Sequence, residues 1–177
     1  GFLEDVREMK QKNLAVELLR KLLNDEIGSR ARTNVVEQQQ FSARLKQALL
    51  KYQNRSVETA LVIEEMLAIA RDLKQAAQRG EHLGLTADEL AFYDALGGAD
   101  MATIMGDDQL FTIAREVANT VRANASIDWT IQESVRANMR RMVRRVLRRH
   151  GYPPDRQEDA TGTIIRQAEL LTAAQAA

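Results

Sequence analysis

Between Arg136 and Asp155 the chain reads RANMRRMVRRVLRRHGYPPD, and this segment leaves little choice of backbone. Ile131, Val135, Met139, Met142, Val143 and Val146 recur at three- and four-residue spacing, which is the period of one helical face. Seven arginines fall between Arg136 and Arg149 with no acid among them. On a helix, Arg136, Arg140, Arg144 and Arg148 form a row on one flank, and Arg141, Arg145 and Arg149 form a row on the other. One face therefore packs into a core, and nearly all the rest is guanidinium. Such a surface requires an anionic partner, either elsewhere in the chain or on another molecule.

The remainder of the chain reads as helix too. Aromatic residues make up only 5% of the 177, proline occurs twice, and no stretch alternates apolar and polar as a strand does. The fold class expected is all-α, an elongated bundle of about seven helices. The first spans about Leu3 to Ile27, with Leu14, Leu18, Leu19, Leu22, Leu23 and Ile27 inward and Gly28 as its stop. The polar patch Lys10 to Asn13 suggests that its first turns project from the body. A loop carrying Arg30 and Arg32 leads to a second helix, opened by Asn34 and Glu37 at capping-box spacing, with Phe41, Leu45, Ala48, Leu49 and Tyr52 inward. Ser56 caps the third, a central helix with apolar residues around more than half its circumference. Thr86 and Glu89 cap a short fourth helix that ends at Gly97-Gly98, and residues 97 to 107 read as a mobile loop. The fifth covers about Asp108 to Asn124. Thr130 and Glu133 cap the sixth, the arginine helix, which stops at His150-Gly151. After the Tyr152-Pro153-Pro154 turn, Asp155 and Glu158 open the last helix, whose tail from Ala173 should fray. No repeat or linker splits the chain, so residues 1–177 read as one domain.

The net charge is zero, but the signs are segregated. Glu81, Asp88, Glu89, Asp94, Asp100, Asp107 and Asp108 fall in a stretch without Lys or Arg, while every cation after Lys74 is arginine. Acidic segment and arginine helix can pair within the fold, although one packed neighbour rarely faces seven arginines. Arginine also grips carboxylate or phosphate in bidentate geometry, which lysine cannot do.

Several chemistries find no support. Cysteine is absent and the only histidines are His82 and His150, which excludes disulfides, thiol chemistry and a His-rich metal site. No G-x-x-x-x-G-K-[ST] loop occurs, so no P-loop cradles a nucleotide. Pro154-Asp155 lacks the downstream lysine of a metal-dependent nuclease, and Glu8-Met9-Lys10 lies upstream of it. Neither catalytic, metal nor cofactor residues are therefore expected. No apolar run approaches the ~20 residues of a membrane span, and a membrane partner is not expected. Trp129, with Ile127, reads as an apolar anchor under the arginine helix, with ligand stacking as the lesser alternative. Gly1-Phe2-Leu3-Glu4 enters a helix without an initiator methionine and looks like the start of an excised piece.

The arginine rows suit two kinds of partner. Arg140, Arg144 and Arg148, ~6 Å apart per helical step, can reach about three phosphates of duplex DNA, with a salt slope near −2.7 and no sequence preference. They can equally dock an acidic protein surface. The candidate contact residues are Arg136, Arg140, Arg141, Arg144, Arg145, Arg148 and Arg149, together with Arg30 and Arg32 in the loop before the second helix and, more loosely, Trp129.

Five segments in order give the chain a family likeness: LAVELLRKLLNDEI from Leu14 to Ile27, NVVEQQQFSARL from Asn34, AFYDAL from Ala91 to Leu96, SIDWT from Ser126 to Thr130, and the arginine block that ends at Asp155. Together they resemble the C-terminal helical domain of the R (restriction) subunit of type I restriction–modification enzymes. His150 stands where that family would have Tyr, and Gly97 to Gln109 matches no family pattern. The resemblance implies a larger, cytoplasmic bacterial or archaeal protein. Its upstream nuclease and helicase-like motor domains use Mg²⁺ and ATP to move along and cut DNA. It implies a domain that joins those parts to a methyltransferase core of modification and specificity subunits. It supplies no catalytic residue within this chain.

Overall fold

The structure is a computed structural model that describes residues 1–124 and 132–176. Among those residues it holds ten α-helices, one 3-10 turn at Pro154–Arg156 and no strand. The all-helical bundle class agrees with the sequence reading. The helix count exceeds seven because three stretches break or gain a helix for local reasons.

The first long helix is two: α1 (Phe2–Glu8) and α2 (Lys12–Arg30). Met9 and Gln11 are extended, so the chain turns over residues 9–11, which take in the first half of the polar patch, and α1 folds back instead of projecting. The gain is burial: Val6 is fully packed, and Leu3 and Met9 lie against the same core. Arg7 holds the returned helix with a two-pronged grip on Glu64, at 2.9 and 3.2 Å. Gly28 does not stop α2. It sits in ordinary helix with open space around it, and Ala31 N still bonds Ile27 O at 2.9 Å.

After α3 (Val35–Gln53), Ser56 donates to Lys51 O and closes that helix, so it does not open the next one. The central helix, expected to extend from Ser56 to Gly80, is α4 (Thr59–Ala76) and ends earlier. The bond from Gln78 N to Gln75 O tightens its end, and α5 (Arg79–Leu83) follows separately.

The third difference is α7 (Gly98–Met105), where a loop was expected after α6 (Ala87–Ala95). Gly97 and Gly98 both adopt positive φ, at 112° and 58°, which turns the chain at once into a new helix. Buried Met101 and Ala102 anchor that helix. α8 (Asp107–Asn124), α9 (Glu133–Arg149) and α10 (Gln157–Ala176) complete the set; the C-terminal stretch to Ala176 is helical where fraying was expected. Thr130, expected to cap α9, lies outside the described residues, and Gln132 stands at the N-cap.

The chain divides into two compact units. The first comprises Gly1–Ala31 with Glu37–Arg79; the second comprises Arg32–Val36 and the described residues from Gly80 onward.

In the first unit α2, α3 and α4 surround a core that includes Leu19, Leu23, Ile27, Phe41, Leu45, Ile63, Met66 and Leu67. α3 runs antiparallel to α4, since Lys51 meets Glu65 and Arg44 meets Asp72, each at 2.8 Å. The buried face of α2 is rotated from the expected stripe. Ala15 and Val16 are inside, whereas Leu14 and Leu18 are 47% and 37% exposed. Glu37 is buried in an ion cluster with Arg79 at 2.8 Å and Arg30 at 3.5 Å.

In the second unit Phe92, Leu96, Leu110, Ile113, Val117, Met139, Val143, Leu147 and Ile164 share one core. The Thr86–Glu89 capping box forms as expected, with bonds of 2.9 and 3.2 Å. Segment 32–36 is held by buried Gln167, which accepts from Val35 N at 2.8 Å and donates to Thr33 O at 2.9 Å.

Candidate partner-binding surface

α9 owes its position to its apolar face. Met139, Val143, Val146 and Leu147 are buried, with Val135 and Met142 partly so; Ile131 lies outside the described residues. Leu147 was not part of the expected stripe and widens it. Beyond Arg149 the helix ends in a Schellman turn. Gly151 takes φ 71°, Tyr152 N bonds Leu147 O at 2.9 Å, and Gly151 N bonds Arg148 O at 3.1 Å. Tyr152 is drawn inside and its hydroxyl donates to Leu96 O at 2.7 Å. Burial pushes the Tyr152 phenol above its ordinary value of 10.0, with Arg156 opposing and Asp155 reinforcing.

The seven arginines of α9 fall into two groups. Four meet glutamates: Arg136 with Glu169 at 2.7 Å, Arg140 with Glu133 at 3.4 Å, Arg144 with Glu158 at 2.9 Å, and Arg149 with Glu116 at 2.7 Å. The Nε atoms of Arg136 and Arg144 are also buried, so these side chains lie down along the body. Glu116 additionally contacts His150 Nε2, and Gln109 Nε2 donates to His150 O at 2.9 Å. His150 thus helps to clasp the end of α9 to α8.

Arg141, Arg145 and Arg148 are exposed and form no ion pair among the described residues. They stand at i, i+4 and i+7, within about 60° of one another around the helix and opposite its buried face. The two expected rows of arginine are therefore one largely neutralised flank and one unpaired crest, with Arg148 on the crest and Arg149 beside Glu116.

The partners of the paired group correct another expectation. They come from α8, α10 and the first turn of α9 itself, and none comes from the acidic segment Glu81 to Asp108. In that segment Asp88 faces Arg122 at 3.7 Å, Asp94 accepts from Asn34 at 2.8 Å, and Glu89 is consumed in its capping box. Glu158 and Glu169 were not anticipated. The turn after His150 was the available signal, because a hairpin of α9 and α10 brings Arg144 to Glu158 and, moving away from the turn, Arg136 to Glu169.

The loop candidates separate. Arg30 ends α2, meets buried Glu37 and donates to Leu73 O at 3.4 Å, which makes it part of the interior cluster of the first unit. Arg32 is exposed in the second unit. Trp129 lies outside the described residues. Among the described residues, no group of His, Cys, Asp and Glu could hold a metal ion, and no helix is long and apolar enough to cross a membrane.

The geometry is that of a helical bundle presenting one cationic crest. A family model described as "Type I restriction enzyme HindI endonuclease subunit-like, C-terminal" matches residues 1–174, and the chain belongs to that family. It is similar to the type I restriction enzyme HindI endonuclease subunit of Haemophilus influenzae, with 40% identity over 96% of this chain and 16% of the relative. It is also similar to the putative type I restriction enzyme MjaIXP endonuclease subunit of Methanocaldococcus jannaschii, with 30% identity over 85% of this chain and 14% of the relative. The chain thus spans about a sixth of the length of the curated relatives it matches. No solved structure matches it significantly.

Proposed function

We propose that this chain is a non-catalytic assembly domain. It holds a DNA-translocating nuclease subunit on a methyltransferase core of modification and specificity subunits, with Arg141, Arg145 and Arg148 as the docking crest. The observation that carries this reading is the crest itself: three exposed guanidiniums aligned on a helix whose opposite face is locked into a core. A rigid helix positions such groups at little further entropic cost. Motor and nuclease chemistry, with its ATP and Mg²⁺, belongs to other parts of the whole protein. The test is retention of the chain by an immobilised methyltransferase core. Reversing Arg141, Arg145 and Arg148 to glutamate abolishes retention; undiminished retention would contradict the assignment.

A second reading is favoured by the length of the crest. It advances ~10.5 Å along the helix axis, which covers about three phosphates of one DNA strand. Titration with nonspecific duplex would then give a salt slope near −2.7, and absence of binding at low salt eliminates it.

A further inference from the structure

The crest carries information about the shape of what it meets. We infer that its partner is an α-helix of another protein bearing carboxylates at matching four- and three-residue spacing; this rests on the docking reading above. Arg141, Arg145 and Arg148 advance by ~6 and then ~4.5 Å, and carboxylates at i, i+4 and i+7 of another helix repeat those steps. Same-face residues of an extended strand advance ~6.6 Å each and fall out of step over three residues.

The surroundings of the crest argue for a narrow partner. On one flank stand Glu133 and Glu158, each with its side chain 80% exposed. On the other stands Glu116 beside Arg149. Each of these glutamates is paired with an arginine of α9, so the flanks carry little net charge, and a duplex, being wider than the crest, would lay most of its phosphates over surface that gives them no net attraction. A single acidic ridge reaches the three guanidiniums and avoids all three glutamates. Towards the start of α9 the same face continues as exposed Ser134 and Asn138, which are uncharged. The charged match is thus three residues long. The crest offers no exposed large apolar side chain, so the contact is polar and weakens with salt.

The test uses three fluorescent probes at low salt: a synthetic helical peptide with Glu at i, i+4 and i+7, a peptide of identical composition with the same Glu residues at alternate positions, and a short nonspecific duplex. The patterned peptide binds about tenfold tighter than the rearranged one, as expected for three weak aligned pairs. Arg141→Gln, Arg145→Gln and Arg148→Gln together remove that preference, with helix content by circular dichroism unchanged. Equal binding of the two peptides, or tighter binding of the duplex, overturns the inference. Loss of methyltransferase-core retention on crest reversal, without any peptide preference, overturns the helical partner and leaves the docking reading standing.

Discussion

Arg79 Nη1 lies 2.8 Å from Glu37 Oε1, and that carboxylate belongs to a residue only 2% exposed. A buried charge persists only when it is paired, and here Arg30 approaches the second oxygen at 3.5 Å. The three residues come from the end of α2, the start of α3 and the first residue of α5. Glu37→Ala removes the shared acceptor of two guanidiniums that keep part of their hydration, 23% and 36% exposed, and is expected to cost about 1–3 kcal/mol. Urea unfolding followed by circular dichroism measures it; a loss below about 1 kcal/mol contradicts the cluster.

Two glycines predict opposite signs. At Gly97, φ is 112° and an added Cβ would stand 2.9 Å from Met101 Cβ, so Gly97→Ala lowers stability by about 1–3 kcal/mol. At Gly28 the backbone is helical and nothing lies within 4 Å, so Gly28→Ala raises stability by about 0.5–1 kcal/mol. Thermal melts of both variants check the pair. A destabilised Gly28→Ala would mean that α2 ends where its glycine first suggested.

Tyr152 gives a pH dependence. Burial raises its phenol above 10.0 in the folded protein, so the native state holds the proton more tightly than the unfolded chain. The stabilisation is fully present below the unfolded value and is lost as pH rises through the folded one. Stability therefore falls above about pH 10, and Tyr152→Phe removes that part of the decline. The variant also starts about 1–2 kcal/mol lower, because Leu96 O loses its buried donor. Denaturant titrations of both proteins at neutral and alkaline pH separate the two effects.

Much of this was legible in the residues. The apolar period of α3 named its buried face, with Phe41, Leu45 and Ala48 inside, and Thr86 with Glu89 announced its own cap. The failures share one cause: local signals yield to tertiary packing. Gly28 looked like a stop, but an exposed glycine inside a packed helix need not end it. Ser56 had a cap's chemistry and spent it on Lys51 O. Glu37 had capping-box spacing, and its carboxylate is engaged by two arginines that sequence separation concealed. On α9 the stripe fixed the inward face, but only the antiparallel course of α10 decides that Arg136 and Arg144 are paired while Arg141 and Arg145 form no ion pair among the described residues.

The division of the arginines into crest and flank is tested most directly by comparing two triple reversals for retention on a methyltransferase core at moderate salt. Replacing Arg141, Arg145 and Arg148 with glutamate abolishes retention and leaves the melting temperature within a few degrees. Replacing Arg136, Arg140 and Arg144 lowers the melting temperature, because those guanidiniums face Glu169, Glu133 and Glu158, and retention of the folded fraction persists. Retention that survives the crest reversal, or is lost equally in both folded variants, contradicts the assignment.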